Sequence, residues 1–129
     1  MGLSGSYDLS SRDGTPEQVD HFTDVVINYT NINNREEGDP GQNAVSAISR
    51  ISLIDPGNIP PMRLYNSSTE TMPFQQMDEF EHALNTRGFF DLVTRTLADS
   101  MHAFQYWNAE ISPGLTVGQD VIAFLSAHL

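Results

Sequence analysis

Glu70 and His102 are the two side chains whose types and surroundings point to proton-transfer chemistry. Glu70 lies in a polar loop, residues 66–71, directly after a short apolar run, Met62-Arg63-Leu64-Tyr65. His102 closes a second loop, residues 98–102, after a second apolar run near residues 90–97. A helical pattern separates them, opening at Pro73. Strand, acid-bearing loop, helix, strand and histidine-bearing loop predict two neighbouring parallel strands with both loops past their C-terminal ends. That rim is where open α/β sheets build their sites.

The other candidates are weaker. His21 stands beside Phe22 on a helical pattern and is expected to be exposed, His82 sits among Glu79 and Glu81 on a polar face, and His128 is expected to fray at the C-terminus. No pair of them has the spacing of a zinc site. With no cysteine there is no disulfide framework, thiol nucleophile or thiolate ligand. Glu36, Glu37 and Asp39 lack the spaced oxygen ligands and closing glutamate of a calcium loop. No glycine-rich phosphate loop is present, which leaves a flavodoxin-like binding domain as the weakest alternative. No cofactor is expected.

The elements that must position the pair follow from periodicity and punctuation. Residues 3–9, Leu-Ser-Gly-Ser-Tyr-Asp-Leu, read as a first strand running into a turn. Thr15 and Gln18 form a capping box with Pro16 at the first helical position. Val19, Phe22, Val26 and Tyr29 then recur at helical spacing and predict an apolar face. Residues 31–42 read as a solvated loop, residues 44–48 as one or two helical turns, and Asp55-Pro56-Gly57-Asn58 as a turn. From Pro73, a helical pattern runs through Phe74, Met77, Phe80 or Glu81, and Leu84, and Gly88 is placed to end it in a left-handed conformation. Phe89 and Phe90 open the next strand. Residues 103–107 are an aromatic cluster, with Tyr106 and Trp107 expected to pack under the loop; residues 111–115 read as a turn. Thr116 and Gln119 cap a last helix with Val117, Val121, Phe124 and Leu125 on one face. Strands alternating with helices predict an α/β fold in three layers, a small parallel sheet flanked by helices.

Composition sets the outer bounds. The 129 residues are expected to form a single domain, 1–129. Six basic residues against 17 acidic give a formal charge of −11, which argues against nucleic acid and anionic membrane surfaces as partners. No apolar run approaches the ~20 residues of a membrane helix. The first residues carry neither the basic region nor the apolar core of a signal peptide, and nothing fixes a compartment.

Several motifs in this order resemble the C-terminal half of the α/β-hydrolase superfamily, in the manner of carboxylesterases and dienelactone hydrolases. Residues 55–76, DPGNIPPMRLYNSSTETMPFQQ, resemble its penultimate strand and acid loop. Residues 97–107 resemble its last strand and histidine loop, where the histidine precedes a small residue and an aromatic one. Residues 3–9 resemble the strand after the nucleophile region, and residues 121–125 the closing helix. The resemblance implies His102 as the catalytic general base. It implies an acid in the loop before Pro73; the usual aspartate position falls on Thr69, and the adjacent Glu70 would take the role. The family's nucleophile stands in G-x-S-x-G on a strand-to-helix elbow. Gly2-Leu3-Ser4-Gly5-Ser6 does not fit that spacing and no helix follows, so Ser4 is a poor nucleophile and the isolated chain is expected to be inactive. An ester-type small molecule is then the substrate only if an N-terminal half completes the fold. The alternative is a non-enzymatic half-fold that self-associates or binds a partner through its first strand, whose edge is left open.

Overall fold

A computed structural model describes residues 2–3 and 6–129. Strand β1 (Gly2–Leu3) pairs in parallel with Leu64 and Tyr65. The strand expected to reach Leu9 does not do so. The N–H groups of Tyr7 and Asp8 donate to Gln76 Oε1 at 3.0 and 2.7 Å, so they are turned away from any sheet partner.

Helix α1 (Pro16–Thr30) starts where the capping box places it: Gln18 N–H donates to Thr15 Oγ1 at 3.3 Å, and Thr15 N–H to Gln18 Oε1 at 2.9 Å. Phe22 and Val26 are buried with Leu9 and Met72, whereas Tyr29, expected on the same face, is exposed. The segment expected as loop to Gln42 instead turns helical at Pro40. Helix α2 (Pro40–Val45) is capped by Asp39, whose carboxylate accepts from Gln42 N–H at 2.8 Å. The Asp-Pro pair is thus a cap and first helical residue, as Thr-Pro is in α1. Helix α3 (Ala47–Arg50) and two short 3-10 turns, Ile51–Leu53 and Pro56–Asn58, lead to the sheet.

Strand β2 (Met62–Ser67) runs two residues beyond the expected Tyr65. Asn66 and Ser67 are polar yet fully buried, and their positions opposite Thr96 and Leu97 keep them in the ladder. Helix α4 (Gln75–Thr86) starts two residues after Pro73 and runs out to Gly88, which has φ +89°. Strand β3 (Leu92–Leu97) begins later than the two phenylalanines suggest: Phe89 is buried beside α4 and Phe90 is exposed. A 3-10 helix, Ala103–Asn108, follows. The expected turn at 111–115 is the centre of an antiparallel hairpin, β4 (Glu110–Ser112) with β5 (Leu115–Thr116). Helix α5 (Val117–His128) carries the Thr116–Gln119 capping box.

The main sheet has the order β1-β2-β3, all parallel. Alternation along β2 decides its two faces. Leu64 joins Met77, Phe80 and Leu84 of α4 on one side. Tyr65 joins Leu97, Tyr106, Val117 and Val121 on the other, under α5 and the 3-10 helix. Each fully buried side chain of this size contributes about 1.5–3 kcal/mol by leaving water. Trp107 packs against α5 at Gly118, where a Cβ would fall 2.6 Å from the indole. No described helix is long and apolar enough to cross a membrane.

Candidate functional site

β2 and β3 end level with each other, Ser67 opposite Leu97. Their backbones stay joined beyond the ends: Ser68 N–H donates to Leu97 O at 2.8 Å and Thr69 N–H to Asp99 O at 3.1 Å. The two loops therefore leave the sheet side by side, and the carboxylate of Glu70 meets the ring of His102.

Glu70 Oε2 hydrogen-bonds His102 Nδ1, and Glu70 Oε1 accepts the Ser67 N–H at 2.9 Å. The Glu70 side chain is 0% exposed and that of His102 is 48% exposed. A carboxylate can only accept, so in the neutral ring the proton sits on Nδ1 and the lone pair on Nε2. Nε2 makes no hydrogen bond among the described residues, and the ring that bears it is half open to solvent. The arrangement is chemically a buried acid orienting a half-exposed base. It suits proton abstraction at Nε2 and stabilises the imidazolium that results.

Each side chain is held by local structure. Glu70 O accepts from Gln18 Nε2 of α1 at 2.7 Å, which fastens the acid loop to that helix. His102 N–H donates to Gln105 Oε1 at 2.7 Å, and Gln105 N–H to His102 O at 3.0 Å. Ala103, immediately after the histidine, has φ +49°, a left-handed conformation that costs a non-glycine residue about 1–2 kcal/mol. This bend directs the chain into the 3-10 helix whose Tyr106 is fully buried.

Of the other residues singled out in the sequence, Thr69 is exposed and its hydroxyl donates to Asp99 O at 2.7 Å. Glu70, not Thr69, is the acid at the ring. Ser4 lies outside the described residues. His21 lines a shallow groove of about 330 Å³ with Thr15, Gln18 and residues 68–71; His102 is not part of its wall. His82 is exposed on α4, and His128 Nδ1 bonds Phe124 O at 2.8 Å. Among the described residues no serine or threonine hydroxyl bonds His102, and no three acidic or histidine side chains converge as a metal site would require.

Sequence reasoning missed Ser67, Asp99 and Gln18. Ser67 Oγ donates to Asp99 Oδ1 at 2.6 Å, and Met101 N–H donates to the same oxygen at 3.0 Å. The available signal was a serine at a strand end and an aspartate three residues before the histidine. Both residue types are so common in turns that their presence alone marks nothing. Compared with protein-family models, with curated proteins and with solved structures, the chain matches none of them.

Proposed function

We propose that this chain is the C-terminal segment of an α/β-hydrolase of the serine esterase type, carrying the histidine and acid of a catalytic triad. What supports the reading is one observation: Glu70 and His102 meet across the ends of two adjacent parallel strands, with Nδ1 engaged and Nε2 without a hydrogen bond among the described residues. In the complete fold a serine on an upstream elbow would attack an ester carbonyl. His102 Nε2 would take the serine proton and return it to the leaving alcohol, while Glu70 holds the ring and balances its charge. The substrate class is a carboxylic ester, and the isolated segment turns over none.

The test is genetic and kinetic. An in-frame G-x-S-x-G upstream of these codons is expected, and the chain expressed with it should hydrolyse a short-chain aryl ester. His102→Ala should lower kcat by about 10³-fold or more, in line with loss of a triad member. Absence of any upstream elbow, or activity indifferent to His102→Ala, overturns the reading.

A second reading has its own observation. β1 pairs with β2 on one side and with no strand on the other among the described residues. A parallel edge of this kind exposes backbone donors and acceptors that a second copy or partner strand can pair. On that reading the chain is a non-enzymatic association module, and its sedimentation coefficient rises with concentration. A single monomeric species throughout the micromolar range excludes it.

A further inference from the structure

The contact between Glu70 and His102 closes a ring of hydrogen bonds that runs through a residue no triad requires. Glu70 Oε1 accepts from Ser67 N–H at 2.9 Å. The Ser67 hydroxyl, itself fully buried, donates to Asp99 Oδ1 at 2.6 Å. That oxygen also accepts from Met101 N–H at 3.0 Å, one residue before His102, whose ring returns to Glu70. The Asp99 carbonyl takes two further bonds, from Thr69 N–H and Thr69 Oγ1. Four hydrogen bonds thus converge on Asp99, and three of them come from the β2 side.

We infer that Asp99 is the positioning residue of the pair: it clamps the histidine loop to the acid loop and so fixes the imidazole against Glu70. The physical need is clear from exposure. His102 is half-exposed on a loop, and holding its ring in one rotamer costs side-chain entropy that its bond to Glu70 must offset. The Asp99 carboxylate supplies the restraint by fixing Met101 N–H just before the histidine to the Ser67 hydroxyl at the end of β2; the two Thr69 bonds go to its backbone carbonyl and persist in any variant that keeps the loop. Ser67 couples the two arms, its N–H serving the acid and its hydroxyl serving the clamp. Asp99 does not touch the imidazole, so its influence is geometric. A role in catalysis rests on the hydrolase reading above; a role in holding the pair does not.

The experiment follows the His102 ring by ¹⁵N NMR in the full 129-residue chain, with the signal assigned by its disappearance in His102→Ala. The wild type is expected to show the Nδ1–H tautomer and a ring N–H protected from solvent exchange, both lost in Glu70→Ala. In Asp99→Ala, exchange of the ring N–H should quicken at least tenfold and the tautomer preference should fall away. Asp99→Asn keeps a side-chain oxygen for Ser67 and Met101 and should retain the signal within about twofold. This rescue separates positioning from loss of charge. Ser67→Ala removes one bond only and carries the test if Asp99→Ala does not fold, as judged by its near-ultraviolet spectrum; a severalfold faster exchange is expected. Wild-type behaviour in folded Asp99→Ala, or in Ser67→Ala where the alanine variant does not fold, overturns the inference and leaves the pair intact. Loss of the signal in folded Asp99→Asn overturns it as well. A wild-type chain with no Nδ1–H signal removes both the inference and the triad reading.

Discussion

Glu70 and Glu79 lie nine positions apart in sequence and have opposite surroundings. Glu70 faces donors: a backbone N–H on one oxygen and an imidazole on the other. Glu79, on α4, has one hydroxyl donor and otherwise faces the carboxylates of Asp13 and Asp8. Its Oε1 accepts the Ser11 hydroxyl at 3.3 Å, a hydroxyl shared with Asp13 Oδ2 at 3.2 Å, while its Oε2 is buried with no hydrogen-bond partner among the described residues. Burial first, then the hydrogen bond and charge of Asp13 and the charge of Asp8, push the Glu79 carboxyl up to about 8. The hydrogen bond with Glu79 holds Asp13 below its ordinary range. The two neighbouring carboxyls are thus pushed apart, Glu79 upwards and Asp13 downwards. The difference teaches that a half-buried or buried glutamate is not a site in itself. What stands opposite its oxygens decides whether it works as a charge or as a proton store.

The largest expected effect comes from breaking the donor-facing case. Glu70→Ala leaves the buried Ser67 N–H without its acceptor and should cost about 2–3 kcal/mol of folding stability, read by urea unfolding. A cost near zero would mean that Glu70 is dispensable to the rim and that the contrast is empty.

Glu79 gives the next largest effect, and its sign depends on pH. Its carboxyl is raised from 4.5 to about 8 on folding. Across that window the folded chain holds a proton that the unfolded chain releases, so stability falls as pH rises from 4.5 towards about 8. Asp13, held low, acts at the other end: its contribution is present above its ordinary value and lost as the pH drops through its lowered one. Glu79→Gln needs no proton. It should match the wild type near pH ~5 and exceed it by about 1–2 kcal/mol near pH ~8.5, the full shift being discounted for the group's partial exposure. An equal gain at both pH values would assign the effect to packing.

Ser67→Ala is expected to cost about 1 kcal/mol at neutral pH, the worth of one buried hydrogen bond. Asp13→Asn sharpens the comparison with the smallest change. It removes the repulsive neighbour and should trim the alkaline loss of stability by a few tenths to about 1 kcal/mol. A deeper alkaline loss in that variant would show that Asp13 stabilises Glu79 rather than opposing it.

Particular residues show where the sequence could be read directly. Thr15 with Pro16 and Gln18, and Thr116 with Gln119, announce α1 and α5, because a capping box completes its bonds within four residues. Gly88 marks the end of α4 for the same local reason. Asp39-Pro40 carried an equally local signal, but the glycine and charge around it read as loop. The end of β1 was misread because apolar residues suggest a strand, whereas Gln76, far along the chain, takes the N–H groups of Tyr7 and Asp8. Asn66 and Ser67 were read as loop because polar residues favour turns, and only pairing with Thr96 and Leu97 keeps them extended.

The order of strand, acid, helix, strand and histidine fixed which two side chains share a rim, since parallel strands joined by a helix must deliver both loops to the same end. Order along the chain carries no distances. That Glu70 rather than Thr69 meets the ring, that Asp99 ties the loops, and that Asp13 and Asp8 raise the Glu79 carboxyl all depend on groups brought together from separate elements. Hydrogen bonds and charge interactions act over a few ångströms, so these contacts came into being only when the layers packed.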